Sequence, residues 1–313
     1  MTRRTLVCGS LAYDTIMVFP DRFGRHILPG ETHMLSVSFQ IAEMRREWGG
    51  CAGNIAYNLL GLGGAPVVMA TLGDDGAPYR ERLASLGVPA DGVRTVAGTY
   101  TAQAFIITDL DDNQITAFHP GAMNRSHENR VGDIDDIGLG IVGPDGRDGM
   151  RSHVTGFASA SIPFVFDPGQ GLPLFSGDEL LEMIDAATYL AVNDYEARLL
   201  VERTGLTLED LARRVDALVV TLGAEGSKIY VDGHVLAIPA VRPTALVDPT
   251  GCGDAYRAGL LHGIAAGTDW ATTGRLASVL GSLKIASRGG QNHAVSRDAV
   301  GARYHDTFGS YPW

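Results

Sequence analysis

The chain has 313 residues, 45% hydrophobic and 19% charged, enough apolar material for a large core in one or two domains. A formal net charge of −11 argues against a nucleic-acid-binding surface, and three scattered cysteines, Cys8, Cys51 and Cys252, argue against a disulfide framework. The first apolar run meets Asp14 after about seven residues, too short for an export signal or a membrane span, so a cytoplasmic location without a membrane partner is expected.

In chain order, Thr5–Ser10 reads as a buried strand. Between Thr15 and Trp48 the pattern turns to alternation, as in Leu35-Ser-Val-Ser-Phe39, which predicts half-exposed strands. Asn54–Leu62 has helical spacing after a glycine cluster, Pro66–Leu72 reads as a strand, and Pro78–Leu86 as a short helix stopped by Gly87. Alternation returns over Gly98–His119, including Ala104-Phe-Ile-Ile-Thr108. Phe164–Asp167, Tyr189–Val192 and Ala217–Leu222 are strand-like; Gly177–Ala187, with Ser176 as N-cap, and Tyr195–Thr204 are helical. A last helical pattern runs to Ala266. This succession predicts an α/β fold with a mainly parallel central sheet. The two alternating segments, approximately 15–48 and 98–119, predict a small β-sheet lid on a core of 1–14, 49–97 and 120–313.

The densest chemistry lies in Asp248-Pro-Thr-Gly-Cys-Gly-Asp254-Ala-Tyr256, where a glycine-bracketed turn opens the last helical pattern. Such a turn leaves N–H groups unpaired and pointing one way, which suits phosphate oxygens. Asp254, in the first helical turn, either complements the helix dipole or accepts a proton from an attacking hydroxyl beside the same amides.

This stretch resembles the C-terminal signature of the ribokinase-like PfkB carbohydrate kinases, in which the last Asp is the base. Gly49-Gly-Cys-Ala-Gly-Asn54 resembles that family's glycine motif, Asn193-Asp-Tyr-Glu196 its magnesium and phosphate motif, and Thr221-Leu-Gly-Ala-Glu-Gly226 its nucleotide turn. The motifs fall in family order across nearly the whole chain. The resemblance implies a three-layer α/β/α kinase in which Asp254 is the base and the amides of Gly251, Cys252 and Gly253 form the anion hole. It further implies that Asn193, Glu196, Thr221, Gly223 and Gly226 hold ATP, and that Glu196 reaches Mg²⁺ through water. Asp248, Thr250, Ser287 and Gly290 fall where the family's K⁺ loop lies. Each matched residue has a structural alternative: Asn54 suits an N-cap, Asp14 a turn cap, and Glu196 a solvated helical carboxylate. Three departures stand out. Pro249 replaces Thr, Cys252 replaces Ala, and Ala12 stands where ribokinases hold ribose with an Asn, which argues against free ribose.

Phe39, Phe105 and Phe118 offer aromatic faces and Gln103 and Gln170 offer amides for a base edge, although the rings also suit packing between lid and body. Phe19-Pro-Asp-Arg-Phe23, Leu35–Phe39 and Phe118-His-Pro-Gly-Ala122 resemble the bacterial nucleoside kinases of the family, including adenosine kinases of mycobacterial type. That likeness implies that Ser10, Asp14, Gly49, Gly50 and Asn54 hold a ribose, Phe118 stacks the base, Gln170 lies near it, and Ser38 reaches in from the lid. Ala104 replaces a second stacking Phe. The expected activity is phosphorylation of the 5′-hydroxyl of adenosine, inosine or guanosine, as in purine salvage, by a monomer or homodimer. The alternatives are a ribokinase- or fructokinase-like sugar kinase and a non-catalytic nucleoside-binding regulator. Gly138-Leu-Gly-Ile-Val-Gly143 spells a dinucleotide fingerprint, but acidic residues precede it and Pro144 follows, so it reads as a strand.

Overall fold

The computed structural model describes residues 4–27, 36–111 and 113–313. Two sheets organise them. The larger has nine strands, seven of them parallel: β1 (Arg4–Cys8), β4 (Pro66–Leu72), β5 (Gly92–Thr95), β8 (Ile137–Val142), β9 (Phe164–Phe166), β10 (Tyr189–Asn193) and β11 (Ala217–Thr221). An antiparallel hairpin, β12 (Ser227–Val231) and β13 (His234–Ile238), extends one edge, giving the order β13-β12-β11-β10-β9-β8-β1-β4-β5. The smaller sheet runs β3 (Glu43–Gly49), β2 (Ala12–Val18), β6 (Ala102–Thr108), β7 (Gln114–His119).

Helices cover both faces of the large sheet, which is why its inner strands are mainly apolar rather than alternating. On one face lie α1 (Cys51–Gly61), α2 (Ala77–Leu86), α7 (Cys252–Ala266), α8 (Trp270–Lys284) and α9 (Arg297–Phe308). On the other lie α3 (Arg147–Ser159), α4 (Gly177–Ala186), α5 (Asp194–Thr204) and α6 (Leu208–Ala212). The result is the expected three-layer α/β/α fold. None of the helices among the described residues is long and apolar enough to cross a membrane.

Gly138 and Gly140 belong to β8, with Gly143 just past its end, and a Cβ on Gly140 would strike the Phe157 ring of α3. Close helix–sheet packing, not a dinucleotide, explains that glycine. Ser176 caps α4 as predicted, with a complete capping box to Glu179. Two expectations are corrected. Residues 36–41 form no strand: Phe39 leaves the alternation to pack against Phe19 and Phe23, with ring centroids 4.8 and 5.1 Å away. Leu35 lies outside the described residues. Asp14, which the family resemblance puts at the end of the first strand, lies instead in β2, because Gly9–Leu11 break the chain direction between β1 and the second sheet.

Candidate active site

Parallel strands end on one edge of their sheet, and there β1, β9, β10 and β11 deliver Ser10, Asp167, Asn193 and Thr221. The N-terminus of α7 faces the same edge. Gly251 caps it with φ 78°, a left-handed conformation that favours glycine, and no side chain caps the helix. The Cys252 amide donates to the Pro249 carbonyl at 3.1 Å, closing the turn. This corrects the expectation of three outward amides: the amides without an acceptor among the described residues are those of Gly251, Gly253 and Asp254. The Cys252 thiol, its pKa pushed up to about 11 by burial, stays protonated and unreactive.

Asp254 is half-buried, and its Oδ2 accepts a hydrogen bond from Asn54 Nδ2 at 2.8 Å. Burial raises its pKa to about 6; the carboxylates of Asp167 and Asp14 push the same way, while Asn54 and Arg257 oppose them. Asn54, buried on α1, is itself held, since its Oδ1 accepts from Gln291 Nε2 at 3.2 Å. Gln291 Nε2 also donates to the Tyr79 hydroxyl at 2.8 Å, and that hydroxyl donates to the Gly49 carbonyl at 2.7 Å. Every donor in this chain is thereby assigned, so Asn54 must present its N–H₂ to Asp254.

Asp14 packs on Gly49, where an added Cβ would collide with its carboxylate. Burial lifts its pKa to about 6, helped by Asp248 and Glu47. Gly50, at φ 86°, lets the chain pass against the backbone of Ser10 and Ala12. Ser10 Oγ accepts the Cys51 amide at 3.2 Å, at the start of α1. The smaller sheet aligns Glu47, Asp14, Ala104 and Phe118 in one row, so the half-exposed Phe118 shares the face of Asp14. Gln103 is one residue off that row and takes the opposite face, where its amide donates to Asp75 at 3.0 Å. The expectation that it reads a ligand is corrected by strand alternation. Phe105 also takes that opposite face, exposed. Ser38 and Gln170 are exposed, the latter in the turn after β9.

Asn193 and Glu196 form a capping box for α5. Glu196 Oε2 accepts the Asn193 amide at 2.7 Å, and Oε1 accepts Asn193 Nδ2 at 2.9 Å. Burial, then Asp167, raises the Glu196 pKa. Thr221 ends β11, and Gly223 and Gly226 shape the turn into β12, closed by the Leu222 amide on the Gly226 carbonyl at 2.8 Å. Asp248 accepts the amides of Thr250 at 2.9 Å and Gly289 at 2.8 Å, while buried Gly290 packs against Asn54 and Gly251.

Sequence reasoning missed three groups here. Gln291 orients Asn54; Lys284 is fully buried beside the turn; and Arg257, one turn beyond Asp254, makes a buried ion pair with Asp167 at 3.0 and 3.3 Å. The available signals were a Gln and a Lys inside otherwise core-forming sequence, and an Arg three residues after a candidate base.

The profile of the pfkB family carbohydrate kinases matches residues 13–297. The chain belongs to the PfkB family. It is therefore a phosphotransferase with an alcohol group as acceptor. The nucleoside kinase of Methanocaldococcus jannaschii is 30% identical over 267 residues, covering 85% of this chain and 88% of that protein. The nucleoside kinase of Methanothermobacter thermautotrophicus is 31% identical over 282 residues, covering 88% and 91%. The Burkholderia thailandensis nucleoside kinase in complex with inosine matches with a TM-score of 0.90 at 53% identity, over 98% of this chain and 99% of that one. The same enzyme in complex with ADP-inosine gives 0.88 at 54% identity, over 98% and 97%.

Proposed function

We propose that this kinase transfers the γ-phosphate of ATP to the 5′-hydroxyl of a purine nucleoside such as adenosine, inosine or guanosine. The observation that carries the reading is the Asn54–Asp254 hydrogen bond, which holds a carboxylate of raised pKa at the open N-terminus of α7. Asp254 takes the hydroxyl proton as the 5′ oxygen attacks phosphorus. A new O–P bond forms in line while the bond to the bridging oxygen breaks, and the electron pair leaves with ADP. The amides of Gly251 and Gly253 hold the migrating phosphoryl oxygens. A pKa of about 6 leaves the base ionised at neutral pH yet basic enough to accept a proton in the transition state.

Ser10, Asp14, Gly49, Gly50 and Asn54 take the ribose, with the second Nδ2 hydrogen of Asn54 free for a hydroxyl. Phe118, in the row of Asp14, stacks the base; Ser38 approaches with the lid and Gln170 at the base edge. The next row in register is Gly49, Ala12 and Ala102, small buried residues that bring no polar side chain to grip a sugar. The inosine-bound Burkholderia enzyme supports a nucleoside acceptor, and its ADP-inosine complex supports ATP as donor.

Asn193, Glu196, Thr221, Gly223 and Gly226 face the nucleotide. No group of three acidic, His or Cys side chains able to hold a metal occurs among the described residues. With both Glu196 oxygens on Asn193, this donor set fits a Mg²⁺ carried on the phosphates and met by Glu196 through water. When bound, Mg²⁺ neutralises charge on the β- and γ-phosphates.

The test is ATP-dependent ADP release with adenosine, inosine, guanosine, cytidine, ribose and fructose. Saturable turnover with purine nucleosides and little with free sugars is expected. Preference for ribose or fructose would establish a sugar kinase, and no ADP release with any acceptor a non-catalytic binder.

A further inference from the structure

Lysine is almost never fully buried, yet Lys284, the last residue of α8, is 0% exposed. Its ammonium donates to the main-chain carbonyls of Asp248 at 2.8 Å and Ser287 at 3.0 Å. A cation suits this place twice over: it lies at the carbonyl end of a helix, and the Asp248 carboxylate is close by. The two carbonyls come from the segments flanking the anion-binding turn. The Asp248 carboxylate ties the same segments together by accepting the Thr250 and Gly289 amides. The lysine stem runs under the turn itself, its Cε 3.7 Å from where a Cβ on Gly251 would stand.

The sequence led us to expect K⁺ on Asp248, Thr250, Ser287 and Gly290, and the donor set does not fit it. The carbonyls of Asp248 and Ser287 already receive an ammonium, and both carboxylate oxygens of Asp248 already receive amides. A second cation would also sit against the first one's charge in a poorly solvated place. We infer that Lys284 is a built-in monovalent cation, which braces the turn at 248–254 against the 284–290 loop and makes the enzyme independent of K⁺. The inference rests on reading that turn as the phosphate cradle.

Two comparisons test it, both in K⁺- and Na⁺-free buffer with tetramethylammonium chloride holding ionic strength. For the wild type, replacing tetramethylammonium by K⁺ should leave both the thermal midpoint of the ligand-free protein and kcat unchanged. K⁺-specific stabilisation or activation would overturn the idea. Lys284→Met keeps the stem and removes the charge. It should lose about tenfold or more in kcat, and K⁺, but not tetramethylammonium, should restore part of the activity and raise the melting point. A variant with wild-type kcat in the absence of K⁺, or one that K⁺ does not rescue, would also overturn it. If Lys284→Met does not fold, the wild-type comparison still decides. The melting measurement needs no acceptor, so an error in the proposed substrate would not be mistaken for failure here.

Discussion

Gln291 never reaches the reacting atoms, yet the hydrogen-bond chain makes it answerable for the behaviour of Asp254. In Gln291→Leu the volume is nearly kept and the donor is lost. Asn54 Oδ1 and the Tyr79 hydroxyl, both buried, each lose a partner. Leaving a buried polar atom unsatisfied costs about 1–3 kcal/mol, so the variant should be about 2–4 kcal/mol less stable. A second consequence is electrical. With Oδ1 released, the Asn54 amide is free to rotate, and the bond to Asp254 is no longer enforced. That bond lowers the Asp254 pKa, so its loss moves the pKa upward from about 6. A hydrogen bond to a charged group contributes about 1.5–3 kcal/mol, equivalent to roughly one to two pH units if it is lost entirely. The acid limb of kcat/KM should therefore move to higher pH by about one unit, alongside a lower denaturation midpoint. A pH–rate series and a urea titration on the same preparation give both readouts. If stability falls and the acid limb stays in place, Gln291 is only a structural residue and the positioning argument fails.

The remaining predictions concern the base, the lid and the electrostatic load of the site. Asp254→Asn should lower kcat by about 10²–10⁴ while calorimetry shows nucleoside and ATP still bound within a few-fold; near-wild-type turnover would remove Asp254 from the role of base. Phe118→Ala should raise the KM for adenosine by the loss of one base stack, about 1–3 kcal/mol, and leave any turnover of free ribose untouched. Equal losses for both acceptors would show that the ring only supports the lid. Asp14→Asn should stabilise the protein at neutral pH. The folded-state pKa of Asp14 is raised to about 6, so its contribution is fully present below the ordinary carboxylate range and lost as pH rises through 6. Denaturation midpoints should show the variant ahead near neutrality and level with the wild type in acid; a gap that widens in acid would contradict the raised pKa.

The sequence carried the local features well. Ser176 is followed three residues later by Glu179, and that pair alone announces a capping box; Pro66–Leu72 is apolar but for Thr71, a run that suits a strand covered on both faces. The glycine turn that opens α7 was equally legible as a turn, because the glycine spacing and the first-turn Asp254 are consecutive. What failed needed register or distance. Gln103 and Ala104 are adjacent, and only the pairing of β6 with β2 says which one shares the face of Asp14. Alternation at Leu35–Phe39 looked like a strand because a ring buried against Phe19 and one buried in a sheet leave the same pattern. Gln291 lies 237 positions from Asn54 and Lys284 lies 36 from Asp248, so no spacing rule links them.

These distant contacts explain how the site combines rigidity with choice of acceptor. Three segments, 49–54, 248–254 and 284–291, meet around the Asn54 side chain. Gly49 lies against Asp14, Gly251 against Gly290, and Gly290 against Asn54. Close approach at these glycines holds Asn54, Gln291, Asp248 and Lys284 in one hydrogen-bonded arrangement, although buried Gln291 Oε1 has no partner among the described residues, and Asn54 in turn holds the Asp254 carboxylate in the first turn of α7. The lid is built on the opposite principle. Every residue of β7 is exposed, Phe118 among them, so on the proposed function the face that would meet the base gains its packing only when a ligand lies beneath it. On the proposed function, phosphoryl transfer is fixed by a cradle that needs no adjustment, while recognition of the base depends on apolar surface that binding itself must bury. A substitution in the cradle should therefore change turnover for every acceptor, and one on the inner row of the lid should re-rank the acceptors.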